Sequence, residues 1–269
     1  MFTVRFPHPV SLLLLVVSPA VATTLVVPNI AVIQNFDTLA SSGTANTVMP
    51  AGWYFAEGGT GANTTYAAGT GSSSTGNTYS FGATSATERA LGTLRTSSLT
   101  SILGTEVTNS TGGLISSLLI SYVGEHWRLG AVGREDRLDF AYSLDATSLT
   151  TGSWLDVNAL DLVAPVNSGT TGALDGNDPS NQSLISYSLT GLTLSSGATV
   201  WLRWSDFAAT SSNDGLGIDD VSITGLQATG PATPPTASVP DAMPLSAVAV
   251  MLLGLMSVNS VFRRRQARK

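Results

Sequence analysis

Apolar and polar residues alternate with a period of two over much of this chain. Leu138, Phe140, Tyr142 and Leu144 alternate with Asp139, Ala141 and Ser143, and Val200, Leu202 and Trp204 alternate with Trp201, Arg203 and Ser205. A two-residue period sends successive side chains to opposite faces, so both segments read as half-buried β-strands. Ala31–Asp37, Gly52–Glu57, Thr78–Phe81, Ile115–Val123, Ser183–Leu189 and Leu216–Thr224 are further strands, separated by Gly, Ser, Thr, Asn and Asp clusters that favour turns. Thr38–Pro50 and Ala56–Gly76 read as long loops, and Thr87–Leu103 as a short helix or irregular link. Many short strands without a long amphipathic helix predict an all-β fold, an antiparallel β-sandwich of jelly-roll-like topology over residues 23–227.

The two ends follow other patterns. From Pro244 to Phe262 the chain is apolar except for Ser246, Ser257, Asn259 and Ser260. A helix over Leu245–Phe262 is about 27 Å long, close to the hydrocarbon core of a bilayer. Its apolar residues lie all round instead of forming the single stripe of a helix docked on a core. Five of the seven residues after Phe262 are Arg or Lys, which predicts a cytoplasmic C-terminus for this transmembrane helix and an outward-facing domain. At the other end, Arg5, the apolar run Val10–Val17 and Ala20-Val21-Ala22 have the order of a cleaved signal peptide over residues 1–22. Residues 228–238 are rich in Pro and Thr and read as an extended linker.

Charge narrows the function. Residues 23–238 hold six Arg and no Lys against seventeen Asp and Glu, a formal charge of −11. Such a domain repels nucleic acid and anionic lipid. The chain has no cysteine, which excludes disulfides and thiolate metal sites and leaves core burial to supply stability.

Val239-Pro240-Asp241, the apolar helix and the cluster Arg263-Arg264-Arg265 occur in the order of the PEP-CTERM bacterial sorting signals, and residues 239–269 resemble the variant whose motif begins Val-Pro-Asp. That resemblance implies an exosortase-type membrane enzyme as partner, cleavage near the motif, and delivery to the cell surface or extracellular polysaccharide. It implies nothing about activity. Gly124-Glu125-His126-Trp127-Arg128, Asp136-Arg137-Leu138-Asp139-Phe140, Gly172–Asn177 and Asp214–Val221 are similar to segments of a bacterial extracellular β-sandwich domain found on surface proteins and beside secreted nuclease modules. No nuclease module follows here, so the resemblance implies a binding or structural module.

Candidate chemistry is sparse. Asp214, Asp219 and Asp220 sit at the entry to the last strand, where Asp219 and Asp220 point to opposite faces, so at most one of them joins Asp214 around a hard cation. A structural calcium site shared with an N-terminal carboxylate such as Asp37 is similar to what carbohydrate-binding jelly rolls have; turn capping and surface solvation are the alternatives. Asp175, Asn177 and Asp178 form a second oxygen-rich turn without EF-hand spacing. His126 is the only histidine outside the signal segment, which leaves little for histidine metal clusters or a Ser-His-Asp triad and favours a structural role. Glu57, Glu88, Glu106, Glu125 and Glu135 supply carboxylates for glycoside hydrolysis, but sequence spacing cannot show two of them facing each other. Trp53 and Trp154, near loops, are the candidate sugar-stacking residues. The sequence thus predicts an exported, non-enzymatic surface or matrix protein with a structural or glycan-binding module. A carboxylate-dependent polysaccharide hydrolase is the alternative.

Overall fold

The computed structural model describes residues 22–227, which fold as an all-β sandwich of two sheets. In chain order the strands are β1 (Thr23–Leu25), β2 (Ala31–Gln34), β3 (Trp53–Gly58), β4 (Ala67–Gly69), β5 (Asn77–Phe81), β6 (Ala90–Leu94), β7 (Thr100–Asn109) and β8 (Ile115–Leu129). They continue as β9 (Arg137–Ser143), β10 (Leu155–Asp156), β11 (Leu162–Val163), β12 (Gly172–Ala173), β13 (Gln182–Leu194), β14 (Thr199–Asp206) and β15 (Gly215–Gln227). Single 3-10 turns occur at Asn158–Leu160 and Pro179–Asn181. The first sheet runs β7-β14-β9, with β1 and β3 on the outer edge of β7 and β10 and β11 on the outer edge of β9. In the second, β4-β5-β6-β15-β8 are neighbours; β12 and β13 pair with the far edge of β8, and β2 pairs with β15 beyond the end of β6. Pairings are antiparallel except β1 with β7 and β4 with β5.

The alternation read from the sequence marks the core. Val200, Leu202 and Trp204 of β14 and Leu138 and Phe140 of β9 face inward, against Leu118, Ile120 and Tyr122 of β8 and Leu216, Ile218, Val221 and Ile223 of β15. Aromatic rings fill the centre: Trp204 stacks on Trp53 at 6.0 Å between centroids and meets Phe140 and Tyr122 edge-on at 5.0 and 5.4 Å. Two smaller clusters lie outside the sandwich. Leu149 and Ala146 of the 144–154 loop cover Trp201 on the outer face of the first sheet, while Tyr79, Phe81 and Trp127 stack in series on the outer face of the second.

The link expected at Thr87–Leu103 is not helical: β6 and the start of β7 occupy it. Strand β6 is buried throughout, because Leu91 packs in the main core while Ala90 and Leu94 join the outer aromatic cluster. A strand covered on both faces loses the alternation by which half-buried strands are recognised. The expected loop Ala56–Gly76 likewise contains the short β4.

Residues 1–21 of the expected signal peptide 1–22, the linker 228–238, Val239-Pro240-Asp241, the expected helix 245–262 and Arg263-Arg264-Arg265 lie outside the described residues. Among the described residues no helix is long and apolar enough to cross a membrane.

Candidate functional site

The fold does not gather Asp37, Asp214, Asp219 and Asp220 into one site. Asp214 is buried and its oxygens are already engaged. Oδ1 accepts from the Gly130 amide at 2.6 Å and pairs with the Arg134 guanidinium at 2.9 Å, and His126 Nε2 lies 3.5 Å from Oδ2. Arg134 also pairs with Asp136 at 3.0 Å, and Asp136 accepts from the Asp214 amide at 2.7 Å. This closed network makes Asp214 an internal counter-ion of Arg134. Burial lowers the His126 pKa, and its Nε2 donates to the Arg128 carbonyl at 2.8 Å, as suits a structural histidine. Asp37 is exposed and accepts from Asn35 at 2.6 Å and from the Arg89 amide at 3.3 Å. Asp220 is exposed in a β-bulge: between the pairs Asp219–Val123 and Ser222–Ser121, two residues of β15 oppose one of β8, and Asp220 takes φ 48°.

The bulge leaves Asp219 pointing away from the core, and there it meets two other carboxylates. Glu88, Glu125 and Asp219 place ligand oxygens within 4.8 Å of one another. Glu125 comes from β8, Asp219 from the adjacent β15, and Glu88 from the segment just before β6. Glu125 is 1% and Asp219 7% exposed. The Trp127 indole donates to Glu125 Oε2 at 2.8 Å and Gln182 donates to Oε1 at 3.1 Å, while the Asn177 amide donates to Glu88 Oε2. Glu88 Oε1 and Asp219 Oδ1 are buried without a hydrogen-bond partner. Arg89 forms no ion pair with the cluster; its guanidinium donates instead to Ser80 and the Ala83 carbonyl. Desolvation pushes Glu125 up to about 7 against the opposing Trp127 indole, and pushes Asp219 up to about 9, with Glu125 and Asp220 adding repulsion.

Two glycines let loops close over this face. A Cβ on Gly71 would lie 1.8 Å from the Trp127 carbonyl oxygen, and one on Gly176 would lie 2.3 Å from the Trp127 indole. Only a residue without Cβ fits either place. The Gly176 turn brings Asn177, from the oxygen-rich turn noted in the sequence, over Glu88.

The two candidate sugar-stacking tryptophans separate. Trp53 opens β3 and points inward, 3% exposed, with Phe36 edge-on at 4.7 Å and Trp204 stacked behind it. It is a core residue, and no glycan reaches its ring. Trp154 is half-buried on the outer face of the first sheet. Its indole donates to the Thr151 carbonyl at 2.8 Å, and the Arg203 guanidinium stacks on the ring at 3.9 Å. Tyr54, which like Trp154 packs against the Ala146, Leu149 and Trp201 cluster, lies 5.2 Å from Trp201 and borders an open cavity of about 480 Å³ that also meets Met49, Asn63, Thr64 and Thr150. Glu57 lines that cavity, but its carboxylate already accepts from the Asn63 and Thr78 amides and the Thr78 hydroxyl.

Sequence reasoning named Asp219 but missed its partners. Glu88 and Glu125 stood only among available carboxylates, because the pairing of β8 with β15 that brings Glu125 to Asp219 joins residues nearly a hundred positions apart.

No protein-family model and no curated protein matches the sequence. Solved structures give weak likenesses. The K3 cleaved adhesin domain of Lys-gingipain from Porphyromonas gingivalis is 13% identical at a TM-score of 0.37, over 65% of this chain and 93% of that one. The CBM22-1–GH10 modules of Clostridium thermocellum xylanase 10B, complexed with xylohexaose, are 15% identical at 0.32, over 80% and 30%. TmCBM61 in complex with β-1,4-galactotriose is 11% identical at 0.30, over 51% and 71%.

Proposed function

We propose that the chain is an exported bacterial surface or extracellular-matrix protein whose β-sandwich, of jelly-roll type, is a non-catalytic glycan-binding module. The single observation that supports this reading is the outer face of the first sheet around Trp154. An indole held by a hydrogen bond and a stacked arginine, on the same outer cluster as a tyrosine that walls an open cavity with amide and hydroxyl groups, has the mixed character of a carbohydrate site. The apolar C–H face of a sugar ring stacks on the indole while Asn63 and Thr150 of the cavity fix hydroxyls further along the glycan, and little side-chain freedom is lost because Trp154 is already immobilised. The hydrolase reading is weaker. Its best carboxylate pair, Glu125 and Asp219, is buried, so a polysaccharide does not reach it.

Trp154→Ala is expected to weaken binding to the host's purified extracellular polysaccharide about tenfold, ~1.4 kcal/mol, with the thermal transition shifted by only a few degrees. Unchanged retention of the variant on immobilised polysaccharide removes the proposal. Trp53→Ala does not test binding, since it opens the core.

Delivery follows the sorting reading of residues 239–269: an exosortase-type enzyme cuts near Val239-Pro240-Asp241 after the helix 245–262 has held the chain in the membrane, with Arg263-Arg264-Arg265 on the cytoplasmic side. Mass spectrometry of the extracellular fraction is expected to find chains ending near residue 241. An intact Lys269 in every fraction would make the tail a permanent anchor instead.

A further inference from the structure

We propose that Glu88, Glu125 and Asp219 bind a calcium-class divalent cation on the outer face of the second sheet, at a site separate from the glycan surface. The inference is independent of the glycan-binding reading. Three carboxylates converge within 4.8 Å, and among the described residues none is paired with arginine. The stronger observation is Asp219 Oδ1. This oxygen belongs to a side chain more than nine-tenths buried and accepts no hydrogen bond, and it is part of a carboxylate of the cluster, as is the equally unpartnered Glu88 Oε1. Buried carboxylate oxygens are normally satisfied, and an orphaned pair facing a third carboxylate is an arrangement that a cation relieves.

The donor set selects the cation. All three side chains offer oxygen; cysteine is absent from the chain, and His126 belongs to the separate Asp214 network. Oxygen-only donors from flexible carboxylates suit calcium, which takes six to eight oxygens in irregular geometry, better than zinc. Asn177 and Gln182 now turn their amide N–H groups toward Glu88 and Glu125. Rotation of either amide by half a turn presents its carbonyl oxygen to the cluster, so the groups that hydrogen-bond to the carboxylates without metal become ligands with it. The cation then ties the segment before β6 and the Gly176 loop to strands β8 and β15. The indole of Trp127, bonded to Glu125, lies directly beside the site and supplies a spectroscopic reporter.

The full-length protein is titrated with CaCl2 after EDTA treatment, at fixed ionic strength. About 10 mM calcium is expected to raise the thermal transition by about 3–10 °C, with a smaller shift for magnesium. Terbium is expected to bind and emit on tryptophan excitation, and calcium to displace it. Asp219→Asn and Glu125→Gln should fold in EDTA, since each keeps the shape of a buried side chain whose charged form burial already disfavours, yet lose both the calcium shift and the terbium emission. Trp127→Phe should lose most of the emission, and Asp37→Asn should keep both responses. Absence of both responses in the unaltered protein overturns the proposal, as does retention of the calcium shift in Asp219→Asn and Glu125→Gln.

Discussion

Trp204→Ala is expected to lower the unfolding free energy by about 3–5 kcal/mol, a large part of the 5–15 kcal/mol that holds a typical domain together. Trp204 is fully buried and touches aromatic rings from three other strands, β3, β8 and β9. Removing its indole leaves a cavity between the sheets that Trp53, Tyr122 and Phe140 cannot collapse into without leaving their own packing. Trp201, three positions earlier on the same strand, packs only on the small outer cluster with Ala146 and Leu149. Denaturant unfolding of the two alanine variants gives a direct comparison. Trp204→Ala should lose clearly more stability than Trp201→Ala, and the reverse order would put the core on the wrong face of β14.

Arg134→Met is expected to cost a similar 3–5 kcal/mol at neutral pH, through charge instead of volume. The guanidinium is the cation that faces both Asp136 and Asp214, and all three side chains are buried. Without it two carboxylates remain in the interior, with His126, held neutral by burial, beside Asp214. The sign with pH follows from Asp136. Desolvation raises its carboxyl from 3.8 to about 6, with the Asp214 charge adding to the rise and the Asp214 amide and Arg134 opposing it. A carboxyl raised in the folded state favours folding at low pH, and that contribution is lost as pH rises from about 4 to about 6. Deleting Arg134 removes a group that lowers this pKa, so the loss extends to higher pH in the variant. The gap between variant and parent should therefore be wide at pH 8 and narrow at pH 5. Adding Asp136→Asn and Asp214→Asn to Arg134→Met should recover much of the stability, because no uncompensated charge remains. A gap independent of pH, measured by urea unfolding at both values, would mean that Arg134 stabilises by packing alone.

The site illustrates where sequence reading stops. Asp219 and Asp220 were expected on opposite faces, and the structure buries one and exposes the other, though through a bulge instead of simple alternation. Asp214, expected at the same turn, instead pairs with Arg134 from a loop eighty residues earlier. Trp53 and Trp154 both read as residues near loops. Only pairing of β3 with β7 turns the first into the core, whereas Trp154 stays on the outer surface because the 144–154 loop folds back over Trp201.

The sequence by itself determined the all-β class and the inward faces of β9 and β14, since a period of two is a local property written directly into the side chains. It also determined the acidic character of the domain and the absence of thiol chemistry, which are matters of composition. Tertiary structure alone decided which carboxylates meet, which arginine neutralises which aspartate, and where strands covered on both faces lie. Those outcomes depend on strand order and register between distant segments, and hydrogen bonds between backbones carry no record of their partner in the local sequence.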